Sequence, residues 1–136
     1  MSHSGEFAAV AETRAGPVGV DIEHIRQIDV AALGPELCAP GESVVPACPS
    51  AFYALWTRKE SVLKAAGVGL DMPMAAIRVT SWTERPRLVY YANGVRPPAQ
   101  MTDMSPAAEY AGAVTVLTSA RIAFHEGRGI DLLDAV

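Results

Sequence analysis

One segment of this sequence has a strong helical pattern, and it limits the folds open to the chain. At about 100° per residue its apolar side chains fall within an arc of about 120°, enough to face a core. These residues are Phe52, Leu55, Trp56, Val62, Leu63 and Ala66. Ser50 is a suitable N-cap residue, and Gly67 a suitable residue to end the helix. The pattern predicts a helix over 51–66 that packs on a hydrophobic core.

Two short segments before this helix have strand character. They are 7–10 and 18–23, joined by turn residues, and we expect them to pair in antiparallel fashion. In the second segment the apolar residues alternate with Gly19, Asp21 and Glu23. Because side chains in a strand alternate between its two faces, both carboxylates are predicted to share one polar face.

The other segments complete an α+β pattern. Residues 30–37 suit a short helix that Gly34 and Pro35 interrupt, and a loop is expected from Gly94 to about Pro106. Strand-like runs occupy 76–80, 87–91 and 110–118, with 122–124 as a continuation. Strands, then helices, then strands predict an α+β fold in which a small, mainly antiparallel sheet packs against a long helix.

Size and charge restrict the class of protein. A chain of 136 residues, half of them hydrophobic, can bury a core without metals or disulfides, so we expect one domain over 1–136. The tail after Gly127 is predicted to be peripheral. A net charge of −4 without a basic run argues against nucleic-acid binding. No apolar stretch is long enough to cross a membrane.

The expected location is the cytoplasm. The first residues lack the basic and apolar regions of a secretory signal. Cys38 and Cys48 have no CxxC spacing and no histidine partner nearby, which indicates reduced thiols without a role.

Three carboxylates and two lysines form a candidate site. Asp21 and Glu23 lie on the predicted strand, and Glu60 lies at the border of the helix's apolar face. If strand and helix pack together, the three carboxylates would converge as oxygen ligands of the kind that suits Mg²⁺. Lys59 and Lys64, the only lysines in the chain, would add positive charge for phosphates.

The same residues also have an ordinary structural interpretation. Glu60 and Lys64 have the spacing of an exposed helix salt bridge, and Asp21 with Glu23 suits a solvated strand edge. Lys59 could extend along the helix with only its stem buried. The pattern alone leaves both interpretations open.

The literal residues add a resemblance to a known family. VGVDIE at 18–23, followed by LWTRKESVLKAAG at 55–67, resembles the paired motifs of the 4′-phosphopantetheinyl transferase superfamily. The similarity is to its larger, Sfp-like class, whose Ser-His-Ser segment resembles the opening residues 2–4. It implies a phosphopantetheinyl transferase-like fold and corresponds to the second half of that class alone.

This resemblance implies a transfer reaction. The phosphopantetheine arm of coenzyme A would pass to a serine of an acyl or peptidyl carrier protein. Asp21, Glu23 and Glu60 match the family's magnesium ligands. Glu60 also matches the carboxylate that helps remove the serine proton, and Lys64 the lysine that assists the leaving phosphate. Glu60 and Lys64 are therefore the expected catalytic residues.

The resemblance also implies residues that bind coenzyme A. Lys59 and Lys64 match lysines near the coenzyme phosphates, and His3 matches a histidine that contacts a phosphate, with Ser2 beside it. Taken alone, His3 is equally compatible with a frayed terminus.

The missing first half implies association with another chain. Without it, the face that it covers in the larger class would be an exposed apolar patch, so we expect a homo-oligomer or a pairing with another half. The alternative function is a non-catalytic half-length subunit that binds coenzyme A or a carrier protein and needs a separate partner chain.

Overall fold

The computed structural model describes residues 1–92 and 94–129, and most of the tail after Gly127 lies outside this part. Two helices are present, α1 (Val30–Leu37) and α2 (Pro49–Ala66), followed by short 3-10 turns at Gly69–Asp71 and Met74–Ala76. The strands are β1 (Ser2–Ser4), β2 (Phe7–Ala9), β3 (Val18–His24), β4 (Arg78–Val79), β5 (Leu88–Tyr90), β6 (Gln100–Met104) and β7 (Tyr110–Val116).

All strand pairs in the described part of the chain are antiparallel. The main sheet has the order β3–β7–β6, and two small hairpins form from β1 with β2 and from β4 with β5. This arrangement confirms the α+β fold with antiparallel sheets and a long helix. The expected pairing of 7–10 with 18–23 is wrong, because a tight turn at Gly5 (φ 55°) closes β1 on β2 and leaves β3 to pair with β7.

The predicted long helix is confirmed as α2. Pro49 occupies its first turn, so Cys48 takes the N-cap position expected for Ser50. Gly67 ends the helix in the left-handed conformation at φ 69°. Of the predicted core face, Phe52, Leu55, Val62 and Leu63 are buried, whereas Trp56 and Ala66 are partly exposed.

Polar side chains attach α2 to every strand of the main sheet. They recur at i, i+3 and i+6, and each reaches a different strand. The three pairs are Arg58 with Asp103 of β6, Ser61 with Thr115 of β7, and Lys64 with Asp21 of β3. Asp103 and Asp21 are both paired with Ala113 in the sheet register, so the two ion pairs lie in one row across the strands.

Three further expectations are corrected. Pro35 does not interrupt α1, because the Cys38 N–H still reaches the Gly34 carbonyl and continues the helical ladder beyond the proline. β6 lies inside the expected loop, where pairing with β7 makes Gln100–Met104 a strand. Residues 122–124 form no strand. None of the helices in the described ranges is long and apolar enough to span a membrane.

Candidate active site

The site is built on β3, which lies at the edge of the main sheet. An edge strand presents backbone groups that no neighbouring strand satisfies. Here side chains from β1 and α2 satisfy them. The Val20 carbonyl accepts from Lys64 Nζ at 3.1 Å, the Ile22 N–H donates to Ser2 Oγ at 3.1 Å, and the His24 N–H donates to Ser4 Oγ at 2.9 Å. The first hairpin and the helix are thus both attached to the strand that carries the carboxylates.

Asp21 lies between that hairpin and α2. The residue is 3% exposed, and its Oδ1 accepts from Lys64 Nζ at 2.8 Å and from Ser2 Oγ at 3.2 Å. Burial raises the pKa of its carboxyl, against the lowering effects of Lys64 and Ser2. Its Oδ2 is the buried side-chain polar atom that has no hydrogen-bond partner in the described part of the chain. A buried carboxylate oxygen without a donor is costly, which marks Oδ2 as a free ligand position.

Glu23 and Glu60 lie within electrostatic range of Asp21. Burial raises the pKa of both glutamates, and the charge of Asp21 raises each of them further. Lys64 lowers both values, and the Trp56 indole also lowers that of Glu23. Three partly or fully buried carboxylates therefore have two nearby cations, Lys64 and, at Glu23 alone, Arg26, an imbalance that a bound cation would relieve.

The residues fit a divalent cation by their chemistry. The atoms that would bind the ion are all carboxylate oxygens, which are the ligands that Mg²⁺ prefers. One of them, Asp21 Oδ2, has no hydrogen-bond partner among the described residues. As placed, no three His, Cys, Asp or Glu side chains in residues 1–92 and 94–129 hold an ion position jointly. The convergence of Asp21, Glu23 and Glu60 on one magnesium ion therefore stays a prediction.

The two lysines have different surroundings. The Lys64 side chain is about one-third exposed and pairs with Asp21; a pair with Glu60 is not among the ion pairs of the described residues. The Lys59 side chain is fully buried, pairs with Glu42 and donates to the carbonyls of Leu37 and Met74. The Lys59 ammonium is enclosed by these partners and does not extend into solvent. The expected contact of Lys59 with coenzyme phosphates stays a prediction.

The opening residues are ordered as strand β1. Ser2 is buried, and its hydroxyl contacts Asp21 and Ile22, so it faces the carboxylate. His3 is exposed on the other side of the strand. The pairing of β1 with β2 gives His3 a defined place in the structure. Its contact with a coenzyme phosphate stays a prediction.

Sequence reasoning missed Arg58 and Glu42. The Arg58 guanidinium is buried and donates to both carboxylate oxygens of Asp103 and to the carbonyls of Thr80, Ser81, Trp82 and Glu84. Glu42 accepts from Lys59 and from the Ala39 and Val79 amides. A charged residue next to the motif lysine was the available signal for Arg58, whereas nothing in the sequence distinguishes Glu42.

Comparison with known proteins identifies the family of this chain. A family model described as the 4′-phosphopantetheinyl transferase superfamily matches residues 17–115, which include β3, all of α2 and β7 except its last residue. The chain belongs to this superfamily. The match contains Asp21, Glu23, Glu60 and Lys64, so the four residues lie within the region shared with the family.

Curated relatives are similar over the same region. A 4′-phosphopantetheinyl transferase of Aneurinibacillus migulanus (gsp) is 30% identical over 103 residues, which cover 71% of this chain and 42% of the relative. A 4′-phosphopantetheinyl transferase of Bacillus subtilis is 34% identical over 84 residues, which cover 58% of this chain and 37% of the relative. The chain thus spans well under half the length of the curated relatives it matches.

A solved structure has the same fold. The crystal structure of Thermotoga maritima holo-acyl-carrier-protein synthase superposes with a TM-score of 0.58 over 78% of this chain and 64% of that chain, at 15% identity. At this identity the likeness shows a phosphopantetheinyl transferase fold and nothing finer.

Proposed function

We propose that this protein transfers the 4′-phosphopantetheine arm of coenzyme A to a serine of an acyl or peptidyl carrier protein, with Mg²⁺ bound at the carboxylates. The observation that carries the proposal is the attachment of Lys64 to Asp21 beside Glu60, with Asp21 Oδ2 left free. Membership of the family supports the reaction class. The curated relatives are named as 4′-phosphopantetheinyl transferases, which supports the same assignment.

The chain's own residues supply the acid and base chemistry. The serine oxygen forms a bond to the phosphorus of the pantetheine phosphate, and the bond to adenosine 3′,5′-bisphosphate breaks. Glu60 receives the serine proton, directly or through water, and burial and the charge of Asp21 raise the pKa of its carboxyl, which makes the carboxylate a stronger base. Lys64 neutralises the negative charge that develops on the leaving phosphate. A bound Mg²⁺ would supply charge stabilisation for the pyrophosphate oxygens.

Asp21 and Glu23 would hold the ion together with Glu60. Because Asp21 Oδ1 already has two donors, Oδ2 is the oxygen available to a cation. Exposed His3 is proposed to contact a coenzyme phosphate from the first hairpin.

The proposed active form contains a second chain. The curated relatives extend well beyond the matched region, so a coenzyme pocket shared with another copy or another half would complete the site. Sedimentation that shows only monomer at micromolar concentration would contradict self-association.

The function is tested by mass spectrometry of an apo carrier protein incubated with this protein, coenzyme A and Mg²⁺. The expected result is a mass gain of one phosphopantetheine group. Asp21→Asn and Glu60→Gln should abolish the gain, whereas Glu126→Gln, which removes an exposed carboxylate, should not. Full transfer by Asp21→Asn or Glu60→Gln would disprove the assigned roles.

A non-catalytic subunit is the second candidate. The observation that favours it is the chain's coverage of 34% to 42% of its curated relatives. In that case wild-type protein gives no mass gain alone or as an oligomer, yet coenzyme A or the carrier protein still binds in calorimetry.

A further inference from the structure

The Ser2 hydroxyl bridges the backbone of β3 and the carboxylate of Asp21. Its Oγ accepts the Ile22 N–H at 3.1 Å and donates to Asp21 Oδ1 at 3.2 Å, and the residue is 8% exposed. A hydroxyl has one proton to donate. Because the backbone amide of β3 supplies the hydrogen bond that Ser2 accepts, the single proton of Ser2 is directed to the carboxylate.

This contact determines which oxygen of Asp21 is free. Lys64 and Ser2 both bond Oδ1, and Oδ2 is left without a donor in a buried position. Without Ser2, the carboxylate could rotate and present either oxygen to Lys64, whose side chain is about one-third exposed and correspondingly less restrained.

We propose that Ser2 is a positioning residue for the cation site, which holds Asp21 so that Oδ2 is presented to a divalent ion. Groups that orient a metal ligand through its other atoms change metal affinity by about 10- to 100-fold when they are removed. The role acts through Asp21 and differs from the direct contact with coenzyme A that the sequence suggested for Ser2. It rests on the proposed magnesium-dependent transfer.

Ser4 provides a matched control two residues away. Its Oγ accepts the His24 N–H at 2.9 Å, so it attaches the same strand β1 to the same strand β3. The bonds of Ser4 to β3 include none to a carboxylate in the described structure. Ser2→Ala and Ser4→Ala therefore each remove one attachment of the hairpin, and the Ser2 substitution alone removes a donor to Asp21.

The test measures Mn²⁺ binding by electron paramagnetic resonance, without coenzyme A, for the full chain and both variants. We expect Ser2→Ala to raise the dissociation constant about tenfold, Ser4→Ala to leave it within about twofold, and Ser2→Thr, which keeps the hydroxyl, to restore it. Thermal unfolding of the two alanine variants shows whether their losses of stability are comparable.

Each alternative result has one meaning. Equal weakening by Ser2→Ala and Ser4→Ala would overturn the proposal, because attachment of the hairpin would then be the whole effect. Unchanged Mn²⁺ binding by Ser2→Ala with a raised KM for coenzyme A would also overturn it, in favour of a direct contact. Absence of Mn²⁺ binding by the wild-type chain would instead overturn the metal site of the proposed function, and the inference with it.

Discussion

Gly19 of β3 lies directly against Ser61 of α2, so closely that a β-carbon at position 19 would be 2.1 Å from the Ser61 carbonyl oxygen. The same β-carbon would be 2.5 Å from the Ala65 amide nitrogen. Both atoms belong to the helix backbone and cannot move aside as a flexible side chain can. The distance between strand and helix, and with it the distance between Asp21 and Glu60, depends on the absence of a side chain at Gly19.

Gly19→Ala should therefore destabilise the protein by about 3 kcal/mol or more, since the backbone itself must shift to admit the methyl group. Urea unfolding measures this change. Gly127→Ala is the matched control, because a β-carbon there meets no atom within 4 Å. Equal stability of the two variants would show that α2 can lie farther from β3 without cost.

Arg58→Lys should cost about 3 kcal/mol, although it preserves the charge. The guanidinium reaches Asp103 and four backbone carbonyls at once, and an ammonium cannot reproduce that planar set of donors. Arg96→Lys provides the comparison, because exposed Arg96 donates to one carbonyl, that of Leu88, and should lose less than about 1 kcal/mol. Similar unfolding midpoints for both variants would contradict a special role for Arg58.

Lys64→Gln should separate cation binding from transfer. The Lys64 ammonium donates a hydrogen bond to Asp21 Oδ1 at 2.8 Å, and its positive charge repels any cation that approaches the same carboxylate. Its removal is expected to tighten Mg²⁺ binding about fivefold, while transfer to a carrier protein slows at least about 100-fold. Calorimetry and the mass assay measure the two effects, with Lys64→Arg as the control that keeps the charge. Weaker Mg²⁺ binding by Lys64→Gln would disprove this competition.

The sequence predicted the elements whose signal is local. The apolar spacing of α2 and its terminal glycine depend on residues within the helix, so the helix was placed nearly correctly. The alternation in β3 correctly placed Asp21 and Glu23 on one face. That face packs against α2, which the alternation alone cannot show, since polarity in a strand does not say what covers it.

The local sequence pattern does not show which strands pair or which distant side chains meet. The strand Gln100–Met104 exists through its pairing with β7, and Ser2 bonds β3 through its side chain while its own strand pairs with β2. Burial of the Lys59 ammonium depends on Glu42 in a loop without periodicity. These features depend on contacts between residues far apart in the chain, which a single sequence does not encode in a readable form.

Glu60→Gln should gain stability relative to the wild-type protein as the pH rises. Burial and the charge of Asp21 raise the pKa of Glu60 above its ordinary value of 4.5. The folded chain therefore keeps this proton at pH values where the unfolded chain has lost it. The resulting stabilisation is fully present below pH 4.5 and is lost as the pH rises through the folded-state pKa. A glutamine at position 60 stays neutral, so the variant loses no stability through ionisation of this side chain over that pH range.

Urea unfolding of metal-free protein at about pH 4 and about pH 8 measures this difference, whose sign follows from the extra proton held by the folded state. The free energy of unfolding of Glu60→Gln relative to wild type should increase between the two pH values. Glu126→Gln should show no such increase, because that carboxylate is exposed. A relative stability of Glu60→Gln that falls with pH would mean that Lys64 outweighs burial and Asp21 at this glutamate, and the carboxylates would then have no excess charge for a cation to relieve.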